Sequence, residues 1–492
     1  MAVKHKGVRI LIVLIVLAGL LGWLGWYKLL REVPQVLADN STEEFFKYGS
    51  IGTEDAAGVP FWLWLILPKM FPEYLPGPGG WAALGFVWEQ GREIPVGFSK
   101  KTIGFERVGI NCALCHTARV RREGEAVPRI YLGGPGNAVD ILGYQRFLFA
   151  CASDPRFTAS HILDEIGAIT RLSFLDRLVY RFILIPATRK TLLKQKEMWA
   201  WASTRPYWGR GRIDPFNPVK VAILNVGVGD TIGNSDMEPL WNLRPRVDHK
   251  MAFHWDGLNT DLTEVVLSSA IGDQATPQSL PLKPLKQLET WAMDLKPPRF
   301  ADLFPVNQEL AATGAPIFQE HCARCHSFDG KETGQVLPLT DDLWRTGIAA
   351  NLPGPLYTDP HRAKMWTAEA AQSYNAYADK YPWHFQHFRA TGGYVNVPLD
   401  ALWIRAPYLH NGSVPYLEEL LELPERRTKL FYRGYDVYDP QRMGFVSEGA
   451  EAERVGTRYD TSEPGNSPQG HLWGTTLTPE EKRALLEYLK TL

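Results

Sequence analysis

The pattern of apolar positions opens with a long uninterrupted run near the N-terminus. Residues Ile10 to Tyr27 carry no charge over 18 positions. A helix of that length, at 1.5 Å per residue, nearly crosses the hydrocarbon layer of a bilayer. The run predicts a transmembrane anchor, which with its cytoplasmic tip occupies residues 1–31. A secretory signal peptide cleaved after Val36-Leu37-Ala38 is the alternative, although charged residues separate that site from the apolar run.

The charges that flank this run predict its orientation. Lys4, Lys6 and Arg9 precede it, and basic flanks of this kind remain in the cytoplasm. Trp26 suits the opposite membrane interface, where indole rings are enriched. We therefore expect the N-terminus in the cytoplasm and residues 32–492 on the outer side of the membrane.

The rest of the chain is expected to be mainly α-helical with long loops. Thr478 provides an N-cap with Pro479 at the first helical position, before an apolar-periodic stretch. Residues 60–90 are apolar but broken by prolines, which predicts a packed or interfacial segment. Residues 171–197 mix seven Lys/Arg and two acidic residues with apolar ones. This segment could rest on anionic lipid, dock an acidic electron donor or form a solvated amphipathic helix.

Composition sets broad limits on fold and partners. The chain has 492 residues, of which 45% are hydrophobic, and this is enough for two to three domains. Its net charge of −1 gives no indication of nucleic-acid binding.

The strongest chemical signal is the sequence Cys-x-x-Cys-His, which occurs twice. The copies are Cys112-Ala113-Leu114-Cys115-His116 and Cys322-Ala323-Arg324-Cys325-His326. Two thiols at this spacing attach one porphyrin through thioethers, and the adjacent imidazole becomes the proximal iron ligand. Two covalently attached c-type haems are therefore predicted. Such attachment takes place outside the bacterial inner membrane, so the haem domains are expected in the periplasm.

Other uses of these cysteines fit the spacing poorly. A zinc site needs its two halves far closer in sequence, and a thioredoxin-like pair needs a βαβ context. Disulfides would leave the repeated histidine unexplained. Cys151 lies in an apolar run and is expected to be a small buried side chain.

The chain also contains an internal repeat. Leu240-Trp241-Asn242-Leu243-Arg244-Pro245 is followed by His254-Trp255-Asp256-Gly257, and Leu402-Trp403-Ile404-Arg405-Ala406-Pro407 is followed by His410-Asn411-Gly412. Each set follows one haem motif, which predicts two tandem c-type cytochrome domains. We place a juxtamembrane segment at 32–100, the first haem domain at 101–298 and the second at 299–492, with the boundary at two prolines.

The sequence resembles the bacterial dihaem cytochrome c peroxidase superfamily, which includes the MauG-type enzymes, and is most similar to its rubber-oxygenase-like dihaem cytochromes. The resemblance covers about residues 100 to 490. Besides the two haem motifs, it is carried by Gly109-Ile110-Asn111, Phe253-His254-Trp255-Asp256-Gly257 and Ala406-Pro407-Tyr408-Leu409-His410-Asn411-Gly412-Ser413.

The resemblance implies that one haem reacts with peroxide or dioxygen and the other passes electrons, with a tryptophan between them. Trp255 matches that position, and with His254 it forms the predicted catalytic pair; core packing is the alternative for Trp255. The superfamily's peroxidases have a glutamine and a catalytic glutamate where this chain has Val265 and Ala275. Glu264 or Gln274 would replace them only if the loop shifts, which disfavours the usual acid–base cleavage of peroxide.

His116 and His326 are the predicted proximal ligands. For the other side of each iron, the sequence offers several candidate ligands. No His, Met or Lys occurs between Thr117 and Ser160, where related proteins place a distal histidine. The first iron is therefore expected to have an open sixth position. The side chains that could close it are His161, His249 and His254.

The second iron must find a sixth ligand other than the methionine common in the superfamily. His471 is favoured, since rubber-oxygenase-like relatives use a late Gly-His, and His410 and Met443 are the alternatives. Otherwise His410 would support the porphyrin edge. Ligation by two histidines leaves no site for a substrate and suits electron transfer.

Three functions are open at this stage. The first is a peroxidase-type oxidoreductase that takes electrons from a redox partner protein or a quinol-linked donor. The second is a dioxygenase that uses O₂ on an apolar isoprenoid or lipid substrate, and the third is a pure electron carrier. An interdomain calcium ion, present in some relatives, is also open, although no dense acidic ligand loop stands out.

Overall fold

The computed structural model describes residues 2–339 and 357–492, with side chains at residue 8 and from residue 10 onward in those ranges. The predicted mainly helical fold is confirmed, with 44% helix. The α-helices are Ala2–Gly25, Thr42–Tyr48, Phe61–Met70, Ile141–Ser153, Ala159–Gly167, Phe174–Val179, Ile185–Met198, Asn217–Val219, Leu243–Asp248, Leu262–Gly272, Leu282–Asp294, Gln308–His321, Ala323–His326, His361–Met365, Ala368–Ala378, Leu417–Leu420, Ala450–Val455 and Pro479–Leu489.

Shorter helical segments complete the helical part. The π-helical segments are Trp26–Leu30, Tyr180–Leu184 and Lys220–Leu224. The 3₁₀ segments are Pro72–Tyr74, Gly80–Leu84, Cys112–Leu114, Ala200–Thr204, Phe300–Asp302, Leu402–Arg405 and Pro424–Arg426.

The strands are short and all of their pairings are antiparallel. One sheet has four strands in the order Glu32–Val33, Phe98–Ile103, Phe105–Ile110 and Val59–Pro60. The two-stranded pairs are Thr117–Val120 with Arg129–Leu132, Arg212–Ile213 with Ser235–Asp236, Val336–Pro338 with Gly393–Val395, Leu430–Arg433 with Thr457–Asp460, and Tyr438–Asp439 with Gly444–Phe445.

One helix in the described part of the chain is long and apolar enough to span a membrane. It covers Ile10–Leu30, with a mean hydropathy of 2.3, and none of it is buried against the protein. The basic residues that predicted its orientation, Lys4, Lys6 and Arg9, lie outside the described side chains. The chain passes directly from this helix into the edge strand Glu32–Val33.

The segment that follows the anchor is packed inside the protein. Helix Phe61–Met70 buries Leu63, Trp64 and Leu67 completely, in the larger of two main hydrophobic cores. Of the two alternatives for this stretch, the structure therefore shows the packed one.

The two main cores interleave across the predicted domain boundary. Helix Ala368–Ala378 contributes Ala370 and Tyr374 to the core that is built mostly from the N-terminal half. Conversely, Ala118 and Trp241 pack in the core of the C-terminal half. The boundary at 298 remains a prediction about the two haem units.

The second haem motif is framed by two helices that cross closely. Gln308–His321 leads into Cys322 and packs on Pro479–Leu489, and Gly314 gives the backbone of Ala484 room to approach. The N-cap predicted at Thr478 is present as a capping box with Glu481. The packing of these two helices positions Cys322, the first residue of the motif.

Candidate haem sites

Both motif histidines are oriented in the same way. His116 Nδ1 donates to the carbonyl of Glu238 and His326 Nδ1 donates to the carbonyl of Val397, each at 2.8 Å. A histidine that binds iron through Nε2 usually donates its other N–H in this manner. Burial lowers the pKa of His116 to about 4 and also lowers that of His326, so both rings are neutral, as iron ligation requires.

The motif cysteines lie next to these histidines in the sequence and form no disulfides. Burial, reinforced by the charge of Asp273, raises the pKa of Cys112 to about 12 and that of Cys115 well above its usual value. Burial likewise raises the pKa of Cys322 and Cys325 to about 12. In each motif the geometry fits covalent attachment of a haem, with two thiols beside an oriented imidazole. Cys151 is completely buried, as expected.

The second motif opens onto a cavity of about 200 Å³ that contains a further histidine. His326 and His471 both line it, with ring centres 6.3 Å apart and an angle of 34° between the ring planes. Two imidazoles that share one metal ion at about 2 Å per bond hold their ring centres about 6 Å apart. Burial, then the charges of His326 and Arg427, lower the pKa of His471 to about 3. These two side chains would hold an iron between them.

The other residues considered for this position are engaged elsewhere. His410 lines the same cavity, but its ring stacks on Tyr394 at a centroid distance of 4.2 Å, with Nε2 3.1 Å from the phenol oxygen. Met443 is completely buried in the C-terminal core. The geometry thus favours His471 over His410 and Met443 as the ligand opposite His326, and leaves His410 beside the cavity.

One part of the internal repeat is present in the structure as a pair of similar loops, and their register differs from the one read from the sequence. Residues 253–259 and 408–414 form the same loop, closed by Phe253 N to Asn259 O at 2.8 Å and by Tyr408 N to Val414 O at 2.7 Å. The second residue of each loop has a positive φ, 65° and 68°, and so does the glycine at the fifth position. The structural counterpart of His410 is therefore Trp255 and not His254.

Trp255 connects the two sites. Its backbone N–H donates to Glu238 Oε1 at 2.8 Å, and the carbonyl of Glu238 is the one that orients His116. The indole Nε1 donates to the carbonyl of Asp236 at 2.8 Å, and the ring lines the cavity of His326. Glu238 thus connects Trp255 to His116 through two hydrogen bonds.

A second cavity, of about 340 Å³, lies beside the first motif. Leu114 of the motif lines it, as does Asp273, whose charge acts on both motif thiols. Most of its other lining side chains are apolar, among them Val59, Val108, Ile110, Leu148, Leu192, Val219, Ile223 and Ile271. No histidine is among the described residues that line it, and its methionine, Met198, ends an exposed helix turn.

The three histidines considered as a second ligand of the first iron lie in different surroundings. His161 and His249 are exposed, the latter with Nδ1 donating to the carbonyl of Pro245, so neither was a correct candidate. His254 lies close to His116, and burial, Arg362 and His116 lower its pKa to about 3. It is near the site but does not line the 340 Å³ cavity.

The loop after helix Leu262–Gly272 supplies the carboxyl group of this cavity, and other elements add polar side chains such as Gln145 and Gln195. Asp273, Gln274 and Ala275 all line it, while Glu264 is buried away from it and accepts hydrogen bonds from His387 and Asn259. Burial raises the pKa of Asp273 to about 7. No sequence signal marked Asp273, which forms the C-cap of the helix.

The predicted interdomain calcium ion has no cluster of acidic side chains to hold it among the described residues. Among the described residues, no group of three or more His, Cys, Asp and Glu side chains is placed to hold a metal ion.

Comparisons with known proteins agree with the second motif, which lies inside a matched family region. Residues 311–402 match the cytochrome c family, and residues 393–432 match a family described as RoxA-like, cytochrome c-like. Two uncharacterized proteins of Sinorhizobium fredii are similar: y4iJ is 41% identical over 19% of this chain, and y4iM is 27% identical over 38% of it. The chain spans 17% and 50% of the lengths of these relatives.

Among solved structures, hydrazine synthase of Kuenenia stuttgartiensis, pressurized with xenon, is 15% identical. The match covers 54% of this chain and 75% of that one, with a TM-score of 0.24. The family matches show a cytochrome c domain around the second motif, and such a domain implies covalently bound haem c and haem-based redox chemistry in this part of the chain.

Proposed function

We propose that this protein is a membrane-anchored dihaem oxidoreductase with one reactive and one electron-transferring site. The observation that carries the proposal is the contrast between the two cavities. His471 faces His326 at 6.3 Å, whereas the 340 Å³ cavity that Leu114 of the first motif lines has no histidine among its described lining residues. The histidine near His116 is His254, which does not line that cavity. Haem bound at these motifs would supply peroxide or dioxygen activation at the open iron and one-electron transfer at the closed one.

The residues of the chain then have distinct tasks. His116, held by the carbonyl of Glu238, would be the proximal ligand of the reactive haem. His326 and His471 would together hold the iron of the other haem. Trp255, fixed by two hydrogen bonds, lies between the sites and would assist electron transfer. Asp273 would hold or release a proton at its carboxyl oxygen beside the reactive haem.

The first candidate reaction is peroxidase-type reduction of peroxide. Electrons would arrive from a redox partner protein or a quinol-linked donor and pass through the site of His326. Asp273 supports this reaction, because a carboxyl group whose pKa lies near 7 is suited to proton transfer. It would take the place of the missing glutamate at Ala275.

The second candidate is a dioxygenase that acts on an apolar isoprenoid or lipid. It is favoured by the mostly apolar wall of the 340 Å³ cavity, which is large enough to contain part of such a molecule. Ala275 leaves more space in this cavity than a glutamate at the same position would. In both cases the anchor would place the protein in the bacterial inner membrane, with the haem sites in the periplasm.

Turnover of the full-length holoprotein tests these proposals. A haem-to-protein ratio of two should be measured first, since it verifies the cofactor content. Peroxide-dependent oxidation of a reduced donor would support the peroxidase, and oxygen consumption that depends on added isoprenoid or lipid would support the dioxygenase. The absence of both activities in a fully haem-loaded preparation would contradict the proposal and leave an electron carrier.

A further inference from the structure

An exposed apolar face lies on a helix beside the anchor. The lateral helix, residues 174–184, consists of Phe174–Val179 followed by the π-helical Tyr180–Leu184. Phe174 is 75% exposed and Phe182 is 68% exposed, and Leu175, Leu178 and Ile183 are also open to the surface. Apolar patches of this kind on a protein surface mark contact with another protein or with a membrane.

The order of residues gives this helix two distinct sides. Phe174, Leu178 and Phe182 recur at intervals of four and therefore share one face. Arg177 and Arg181, both exposed, lie next to that face. Large apolar side chains on one face with arginines alongside are typical of a helix that lies in the plane of a membrane interface.

The lateral helix begins at the level where the anchor leaves the hydrocarbon layer. Lys28 Nζ lies 2.6 Å from Asp176 Oδ1, and both side chains are partly shielded from solvent. Lys28 is in the last turns of the membrane-spanning stretch Ile10–Leu30. A residue that contacts Lys28 is therefore held at the depth of the membrane–water interface.

The rest of the protein keeps this arrangement fixed. The N–H of Gly104 donates to the carbonyl of Arg31 at 2.7 Å, and strand Glu32–Val33 pairs with Phe98–Ile103. Arg107 Nη2 also donates to the carbonyl of Leu29 at 3.4 Å. Because the end of the anchor is hydrogen-bonded to the protein body, the lateral helix cannot turn freely away from the bilayer.

We propose that the lateral helix lies on the lipid bilayer as a second membrane contact. Phe174, Leu178 and Phe182 enter the boundary between head groups and acyl chains, while Arg177 and Arg181 meet lipid phosphates. The occupant is lipid and not an acidic electron donor, since large apolar side chains dominate the exposed face and this face continues from the anchor. The proposal rests on the membrane anchoring stated under Proposed function.

This contact would bring the bilayer close to the reactive site. The next helix, Ile185–Met198, follows the lateral helix without a break and contributes Leu192, Gln195 and Met198 to the 340 Å³ cavity. One helix would therefore separate the lipid from the cavity beside the first haem motif.

The test uses full-length holoprotein in vesicles of phosphatidylcholine and phosphatidylglycerol, with a nitroxide attached to one introduced cysteine. The variants are Phe174→Cys, Phe182→Cys, Leu20→Cys in the anchor, and Val127→Cys as a matched control. Val127 is 76% exposed but lies in a separate loop. Labelling is specific, because the motif thiols are consumed by haem and Cys151 is completely buried. Collisions of the nitroxide with oxygen, which concentrates in lipid, are compared with collisions with a water-soluble nickel chelate.

The proposal predicts oxygen-to-nickel collision ratios at positions 174 and 182 that are several-fold higher than at 127 and approach the ratio at 20. A high ratio at 20 with low ratios at 174 and 182 would overturn the lateral contact alone. A low ratio at 20 would overturn the anchor, and with it the premise of this inference. Loss of the high ratios only when phosphatidylglycerol is omitted would show that Arg177 and Arg181 supply part of the binding.

Discussion

The ring of His471 faces the ring of His326 at a centroid distance of 6.3 Å, inside a cavity to which nine leucines contribute. At the first motif, His161 and His249 are exposed, and no histidine is among the described residues that line the cavity beside Leu114. The histidine close to His116 is His254, which does not line that cavity. A haem with two imidazole ligands resists added ligands, whereas one with a single imidazole accepts them. Under the proposed function, this difference would make the haem at His116 the reactive one and the haem at His326 the electron-transferring one.

Replacing His471 by alanine should open the second haem. We expect the iron bound to His326 to change from low spin to high spin and to gain cyanide binding, because its sixth ligand is removed. Optical and EPR spectra of the ferric variant measure this change. His410→Ala is the matched control and should stay low spin, since His410 is held against Tyr394. If His410→Ala opens the haem and His471→Ala does not, the ligand assignment is wrong.

Replacing Trp255 by phenylalanine should slow electron transfer between the haems with little loss of stability. The variant keeps an aromatic ring but loses the hydrogen bond from Nε1 to Asp236 O, which costs about 1 kcal/mol. Stopped-flow reduction of one haem through the other gives the rate. Trp241→Phe loses a similar bond, to Leu132 O at 2.9 Å, without lining the haem cavity of His326. Equal rates of electron transfer in the two variants would show that Trp255 serves only in packing.

Asp273 should make both activity and stability depend on pH. Its pKa is about 7 in the folded chain and near 3.8 when unfolded. The folded state therefore binds more protons between these values, and the free energy of unfolding should fall as pH rises from about 4 to about 7. Above pH 7 the carboxylate can no longer donate a proton, so turnover that needs an acid should decline.

The variant Asp273→Asn checks this behaviour. Urea unfolding at pH 5 and pH 7.5 should show a smaller difference than in the wild type, and the decline in turnover above pH 7 should disappear. Asp248→Asn, at an exposed position, serves as the control and should leave both profiles unchanged. Profiles of Asp273→Asn that coincide with the wild type would contradict the role of this carboxyl group.

Ala275→Glu should increase peroxidase activity. Ala275 is buried, lines the 340 Å³ cavity beside Leu114 and occupies the position where the peroxidases that the sequence resembles carry a catalytic glutamate. The new carboxyl group would add an acid–base residue, for which enhancements of about 10²-fold are typical. Ala275→Gln controls for size. Equal peroxide turnover in the two folded, haem-loaded variants would show that the missing carboxylate does not limit the reaction.

The sequence predicted the parts of the site that depend on local spacing. The Cys-x-x-Cys-His motifs have a fixed spacing because one porphyrin must reach both thiols, and Thr478 caps its helix through neighbouring residues. The long apolar helix Ile10–Leu30 was equally visible as an apolar run. These features need no knowledge of tertiary contacts.

Other parts of the site arise only from tertiary packing. The loops at 253–259 and 408–414 pair Trp255 with His410, whereas matching histidine to histidine in the sequence shifted the register by one residue. Asp273 acquires its raised pKa from burial beside distant chain segments, which no local pattern encodes. The packing of helix Phe61–Met70 was likewise ambiguous, because buried and membrane-facing apolar helices have the same composition.

The measurement that tests the central claim most directly is an EPR and optical spectrum of the ferric wild-type holoprotein before and after cyanide. The account predicts one low-spin haem that cyanide does not change, held by His326 and His471. It also predicts one high-spin haem, on His116, that cyanide converts to low spin. Two low-spin signals that cyanide leaves unchanged, in both the ferric protein and the half-reduced protein, would contradict the assignment of an open reactive haem.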